Sequence, residues 1–245
     1  MEDARTGVPV SGFGKLDMTT HLLLNNGKVL HQPDKEMFYY LCRFGRYPKY
    51  DEVQPSDLDT VSDQDRELAN KMAARMGKEV WKPLIGVSIA RIKTEWDLLR
   101  MKDHEWLSCS GETKEVLQPL FLPRINVARL TKALHRKRPS FIPVCDSILV
   151  QQLNMVADTQ ADLLIQCMTK LRQVGQANIS ALTTLRGILI VKAINVTELR
   201  ILEFLYWVRF GPFGTLQQKN KFRPKCQAFR ATGKCLLGIT QSPCI

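Results

Sequence analysis

Apolar residues recur at helical spacing along most of the chain. In residues 54–76, Leu68, Met72 and Met76 follow one another at intervals of four, behind Asp63 as a candidate helix cap. Similar periodicity predicts helices over 93–109, 158–175, 179–193 and 198–211. Alternation of apolar and polar residues does not persist long enough to indicate a sizeable sheet. The sequence therefore predicts an all-α fold.

The same pattern divides the chain into three parts. Residues 1–49 predict an irregular lead-in, with little periodicity up to about residue 35 and a short apolar helix or strand in 36–47. Residues 50–210 hold the other predicted helices. Residues 211–245 carry basic residues and cysteines and predict an irregular tail. We expect the helical part to form two lobes.

Charge changes this picture, because the net charge is +11 over 245 residues. A surplus of this size favours polyanionic partners such as nucleic acid. The surplus is uneven: no acid occurs from Leu120 to Cys145, and residues 51–67 contain seven acids against one cation. The central block is thus a candidate binding face, although a solvated, charged helix gives the same pattern.

The stretch "LPRINVARLTKALHRKRPSFIPVCDSIL" (residues 122–149) lies in that central block. Pro123 fixes one φ angle and Asn126 tolerates the left-handed conformation, so a tight turn is predicted before a helix that begins near Val127. We expect the first backbone amides of that helix to point outward, unpaired, where they suit a phosphate oxygen. With the following cations they predict a DNA-backbone site that is formed by Asn126, Val127, Arg129, Lys132, Arg136, Lys137 and Arg138. Of the cations, Arg129, Lys132, Arg136 and Lys137 are expected to project toward solvent.

This stretch resembles the helix-hairpin-helix motif, and the acid that follows it, of the helix-hairpin-helix DNA glycosylase superfamily. Leu122 and Pro123 match the Leu-Pro-Gly-Val-Gly pattern, Arg124 stands at its first glycine and Asn126 at its second. The chain also resembles, over roughly residues 50 to 210, a group of uncharacterised, mainly bacterial domains of this helical architecture. The superfamily resemblance implies a two-lobed fold of helix-hairpin-helix glycosylase type.

By the same resemblance, Asp146 falls on the catalytic aspartate of the glycosylases. In those enzymes, such a carboxylate stabilises the positive charge that develops on the sugar as the base departs. The position of the Schiff-base lysine falls on Ala128, so lyase chemistry through that residue is not expected. A base pocket would need aromatic residues, for which the candidates are Trp81, Trp106, Phe141, Tyr206 and Trp207. The alternative is that Asp146 only caps the helix that follows it.

Metal and cofactor chemistry finds little support in the sequence. Cys226, Cys235 and Cys244 lack the close Cys-x-x-Cys pair of most zinc sites, so we expect reduced thiols and no metal. His135, beside a run of cations, is expected to be a surface residue. No phosphate loop, Ser-His-Asp arrangement or nucleotide fingerprint is found, and no cofactor is predicted.

Three functions remain open on the sequence alone. The first is a nucleic-acid-binding protein that contacts the backbone of duplex DNA, and the second is a monofunctional glycosylase-like hydrolase that uses Asp146. The third is a non-catalytic scaffold for protein interactions, so enzymatic activity is undecided. An acidic N-terminus and charges inside the most apolar segment predict neither a secretory signal nor a membrane span. We therefore expect a cytoplasmic protein, or a nuclear one in a eukaryote.

Overall fold

The computed structural model describes residues 53–191 and 194–210. These residues form helices and short 3-10 turns, and their only bridge of β type is the single pair Thr60–Ser88. The helices are α1 (Asp63–Lys71), α2 (Lys78–Trp81), α3 (Asp103–Leu117), α4 (Val127–Leu134), α5 (Ser147–Gln152), α6 (Gln160–Ala177), α7 (Ile179–Val191) and α8 (Glu198–Phe210). The prediction of an all-α fold is confirmed for this part of the chain. The lead-in before residue 50 and the tail from residue 211 lie outside the described residues.

Several helix boundaries differ from the predicted ones. The helix predicted over 93–109 begins only at Asp103, and residues 93–102 form turns in which the Asp97 side chain accepts a hydrogen bond from the Leu99 amide. Helix α1 is capped by Ser62 in a reciprocal capping box with Asp65, and Asp63 is its first residue. Local hydrogen bonds from short polar side chains compete with the helix, and periodicity does not detect them.

The core lies between α3, α4, α6 and α8. Leu130, Leu134, Leu171 and Leu205 are each fully buried there. At Gly175, helix α6 packs so closely on the preceding turns that an added Cβ would clash with the Leu99 side chain. The core therefore fixes how α4, which carries the predicted phosphate contacts, sits against α1 and α6.

Three consecutive cations after α4 bind the leading segment, which we define as residues 53–62. Arg136 Nε donates to Val53 O at 3.0 Å, and Lys137 Nζ donates to Asp57 O and, at 2.9 Å, to Thr60 O. The Arg138 guanidinium donates to Leu58 O, to the Asp59 carboxylate and to the carbonyls of Ile89 and Ile92. Backbone carbonyls thus take the place of water around these cations.

Lys137 also forms a buried ion pair with Asp65. Its Nζ lies 3.2 Å from Asp65 Oδ2, and both side chains are fully buried. Burial raises the pKa of the Asp65 carboxyl, while the Ser62 amide and the Lys137 ammonium oppose that rise. Asp65 Oδ1 has no hydrogen-bond partner among the described residues. The prediction that Lys137 faces solvent is wrong, because the 3-10 turn His135–Lys137 directs it back at the leading segment.

We expect Lys137→Met to lower the free energy of unfolding by about 3–5 kcal/mol, since it leaves the Asp65 charge buried and unpaired. Urea denaturation at pH 7 measures the change. The control Lys93→Met removes an exposed lysine and should stay within about 0.5 kcal/mol of the unsubstituted protein. Adding Asp65→Leu should restore part of the loss; a Lys137→Met protein as stable as the control would contradict the prediction.

Candidate nucleic-acid interface

The hairpin between α3 and α4 presents one arginine to solvent. Ile125 is buried and its amide donates to Leu122 O at 2.9 Å, which closes the turn and leaves Pro123 and Arg124 exposed. The left-handed residue of this turn is Arg124, with φ 72°, and not Asn126, whose φ is −93°. The turn was expected; its left-handed residue is Arg124, while Asn126, which tolerates that conformation, has an extended backbone.

The first amides of α4 are already bonded within the protein. Asn126 caps the helix, its Oδ1 accepting from the Arg129 amide at 3.0 Å, and Gln160 Oε1 accepts from the Val127 amide at 2.8 Å. The prediction that these amides point outward unpaired is therefore wrong. A polar side chain satisfies each of these two amides, as the ends of helices generally require.

Arg129 links the hairpin to a second turn. Its Nε donates to Ala74 O at 3.0 Å, and one of its terminal nitrogens donates to Arg124 O. The side chain is half-buried between the two turns. Arg124 and the turn that contains Ala74 are consequently held side by side.

The remaining predicted contacts do not form one exposed face. Arg136 is half-buried against Val53, and Lys137 and Arg138 are each only 1% exposed. Lys132 is half-buried on the side of α4 that faces α8, where it lines a small space beside Asp146. The structure brings together only Asn126, Val127 and Arg129 of the predicted set. Arg136, Lys137 and Arg138 were misplaced because spacing on a helix cannot show the 3-10 turn that follows α4 at His135. Lys132 was misplaced because its side of α4 faces α8.

Arg75 was missed by the sequence analysis. It is exposed, has φ 53° and follows Ala74, the residue whose carbonyl binds Arg129. Residues 72–76 had been assigned to a continuing helix, although helix α1 ends at Lys71. The run "NKMAARMGK" is basic, and its glycine was the one signal of a turn. Arg75, Arg124 and Arg129 together define what we call the arginine surface.

Asp146 has the geometry of a helix cap. It precedes α5, and its Oδ1 accepts from the Leu149 amide at 3.0 Å. Its other oxygen, Oδ2, accepts from the indole nitrogen of Trp207 on α8. Both carboxylate oxygens are therefore engaged, and the indole also ties α8 to the start of α5.

Charged side chains surround the remaining space beside Asp146. Lys132, Arg200, Glu203 and Trp207 line it, and Glu203 Oε1 accepts from the Val144 amide at 2.8 Å. Burial lowers the pKa of the Lys132 ammonium, the Asp146 carboxylate opposes that effect and the Arg200 guanidinium adds to it. The space between these described residues is enough for about one water molecule. Of the five aromatic candidates for a base pocket, Tyr206 and Trp207 border this space, while Trp81 and Phe141 are fully buried elsewhere.

His135 is buried directly after α4. It is 1% exposed, and its Nδ1 lies 2.7 Å from Ile142 O, so a neutral ring donates its Nδ1 proton to that carbonyl. Burial lowers the pKa of His135 well below its usual value, and Arg200 and Arg136 lower it further against the effect of the Ile142 carbonyl. The expectation of a surface histidine is wrong, since the 3-10 turn carries the ring inward.

Within the described ranges no group of three or more His, Cys, Asp or Glu residues could hold a metal ion. Cys109, Cys145 and Cys167 are buried free thiols. The three tail cysteines of the sequence analysis, Cys226, Cys235 and Cys244, lie outside the described residues. No single helix of 53–191 and 194–210 is long and apolar enough to cross a membrane; α6 and α7 pass that test only as a pair that is bent by 84°.

A family model described as "Family of unknown function (DUF6308)" matches residues 37–209. The chain belongs to this family. The DUF6308 match includes both turns of the arginine surface and the residues around Asp146. No curated protein and no solved structure matches the chain.

Protonation of His135 should destabilise the fold. A depressed folded-state pKa means that its contribution to stability is present above about pH 6.5 and is lost as the pH falls toward the folded-state value. Between pH 7.5 and 5.5 we expect the unsubstituted protein to lose about 1.4 kcal/mol more than His135→Asn, whose amide keeps the Ile142 bond without titrating. Urea denaturation at both pH values measures the difference, and equal losses would show that His135 is protonated in the fold.

The cap at Asp146 predicts a graded set of stabilities. Asp146→Ala removes the bonds to both Leu149 and Trp207 and should cost about 1–2 kcal/mol. Asp146→Ser keeps a cap oxygen but is too short for the indole, so its cost should be smaller. Thermal and urea denaturation of the two variants measure the order; a more stable Asp146→Ala protein would instead show that the carboxylate is held there at the expense of stability.

Proposed function

We propose that this protein binds the phosphate backbone of duplex DNA through the arginine surface. The observation that supports the proposal best is the double contact of Arg129, with Ala74 O and Arg124 O. It brings the exposed Arg75 and Arg124 side chains, which are 49 positions apart in sequence, to adjacent turns. Guanidinium groups suit phosphate because their planar donors bind two oxygens at once.

Local and overall charge support the same partner. Lys71 and Lys78 are exposed at the two ends of the turn that carries Arg75. The whole chain carries 35 lysines and arginines against 24 acids. Positive charge of this kind raises the association rate with a polyanion and gives binding that weakens with salt. Phosphate contacts fix position without selecting sequence, so binding without strong sequence preference is expected.

The hairpin turn relates this proposal to the helix-hairpin-helix class of motif. Arg124 takes its left-handed conformation at the position where the helix-hairpin-helix pattern carries its first glycine. Glycine is the residue that adopts this conformation most easily, so a turn of similar shape with an arginine there supports a helix-hairpin-helix relationship. An arginine at that position adds a cation at the tip of the turn.

The other two functions have weaker support. The Asp146 carboxylate is used by the Leu149 amide and the Trp207 indole, and the space beside it is far smaller than a base. The glycosylase-like hydrolase stays a prediction, which duplexes with damaged bases would test through abasic-site formation, with Asp146→Asn as control. A scaffold that binds an acidic protein is the outcome to consider if DNA binding fails.

We expect Arg75→Ala with Arg124→Ala to weaken binding to all duplexes alike and to flatten the plot of log affinity against log salt by up to about 1.8, or 0.9 for each phosphate contact. Fluorescence anisotropy over a salt series measures both effects. The matched control is Lys93→Ala with Lys170→Ala, which removes the same charge from exposed sites. Lys170 lies on α6, ten residues from Gln160, whose side chain contacts the start of α4. Lys93 follows Ile92, whose carbonyl accepts from Arg138 beyond the other end of α4.

Identical salt dependence in the two double variants would mean that only overall charge attracts the DNA. The absence of binding by the unsubstituted chain at low salt would remove duplex DNA as the partner.

A further inference from the structure

The turn that carries Arg75 is fixed on both sides of that residue. The Asn70 side chain accepts from the Met76 amide at 2.7 Å and donates to Met76 O at 2.9 Å. On the other side, the Ala74 amide donates to Ala69 O at 3.1 Å, and Ala74 O accepts from Arg129. Arg75 thus lies between two pinned residues, and its own left-handed backbone, with φ 53°, needs such support in a residue with a Cβ.

The hairpin turn has fewer supports of its own. Its internal closure is the bond from the Ile125 amide to Leu122 O, and Ile125 is buried beneath it. Arg124, at φ 72°, bears the same backbone cost as Arg75. The Arg124 carbonyl accepts a hydrogen bond from the Arg129 side chain, and this bond connects the hairpin turn to the turn that carries Arg75.

We infer that Arg129 is a positioning residue, which joins the two turns and so sets the spacing of Arg75 and Arg124. Its backbone is fixed by the Asn126 cap and its guanidinium is directed at two carbonyls rather than at solvent. Arg129 acts on the partner through the other two arginines. The effect of Arg129 on DNA affinity rests on the proposed function. The joining of the two turns does not, and it can be tested without DNA.

Lysine at this position separates positioning from charge. Arg129→Lys keeps the positive charge, whereas a single ammonium lacks the rigid fork that reaches both carbonyls. Both turns should therefore open more often in this variant. Trypsin reports the opening directly, because it cleaves after Arg75 and Arg124, and exposed backbone that opens locally is cut in proportion to its open population.

In brief digests we expect Arg129→Lys to be cut about fivefold faster after both Arg75 and Arg124, with cleavage after Lys93 unchanged. Asn70→Ala is the matched control, since it removes only the support of the first turn: cleavage should accelerate after Arg75 and not after Arg124. Mass spectrometry of the fragments identifies each site. Unchanged cleavage after Arg124 in Arg129→Lys would overturn the inference, as would equal acceleration after Lys93, which would indicate general unfolding.

Salt titrations with duplex DNA complete the test. A positioning role predicts that Arg129→Lys loses about fivefold in affinity while the slope against log salt stays as in the unsubstituted protein, because no phosphate contact is removed. Affinity equal to that of the unsubstituted protein would show that charge alone matters and would overturn the inference. If the unsubstituted chain does not bind DNA but the cleavage pattern is as expected, the proposed function fails and the joining of the two turns by Arg129 stands.

Discussion

Buried positive charge is the constraint on which this fold depends. Lys137 and Arg138 lie in the interior, and every cation there must find acceptors that replace its lost hydration. The leading segment supplies main-chain carbonyls to both cations and the Asp59 carboxylate to Arg138, and Asp65 is the counter-ion of Lys137. The stretch before α1 is thereby part of the core through these polar contacts as well as through its buried Val61.

The same constraint separates the charge of the sequence from the charge of the surface. A net charge of +11 describes the chain, but two of the cations in its most basic block never meet solvent. Electrostatic attraction of a polyanion comes from exposed groups, and near α4 the exposed arginines Arg75 and Arg124 lie on turns at one end of the helix. Arg75 and Arg124 are both exposed and both have left-handed backbone at a turn.

Sequence reasoning predicted helices well and turns poorly. Helical periodicity predicted α6 and α8 over 158–175 and 198–211, close to their observed bounds. The turn at Pro123 was foreseen from the rigidity of proline, whereas the left-handed residue proved to be Arg124 and Asn126 caps α4. Contacts between distant segments leave no periodic trace: nothing local in the sequence indicates that Gln160 accepts from Val127, or that Trp207 donates to Asp146. The cap at Asp146 was predictable as one of two interpretations, since a short acid before a helix start commonly has that role.

The dependence of buried cations on the leading segment sets a limit on how the domain can be dissected. A fragment that starts at α1 would keep every helix named above and would appear complete by secondary structure. It would nonetheless leave the guanidinium of Arg138 and the ammonium of Lys137 facing a cleft, and water would have to enter the core to solvate them. Such a fragment should behave as an expanded, loosely packed chain, and the smallest independently folding unit has to include the leading segment from Val53.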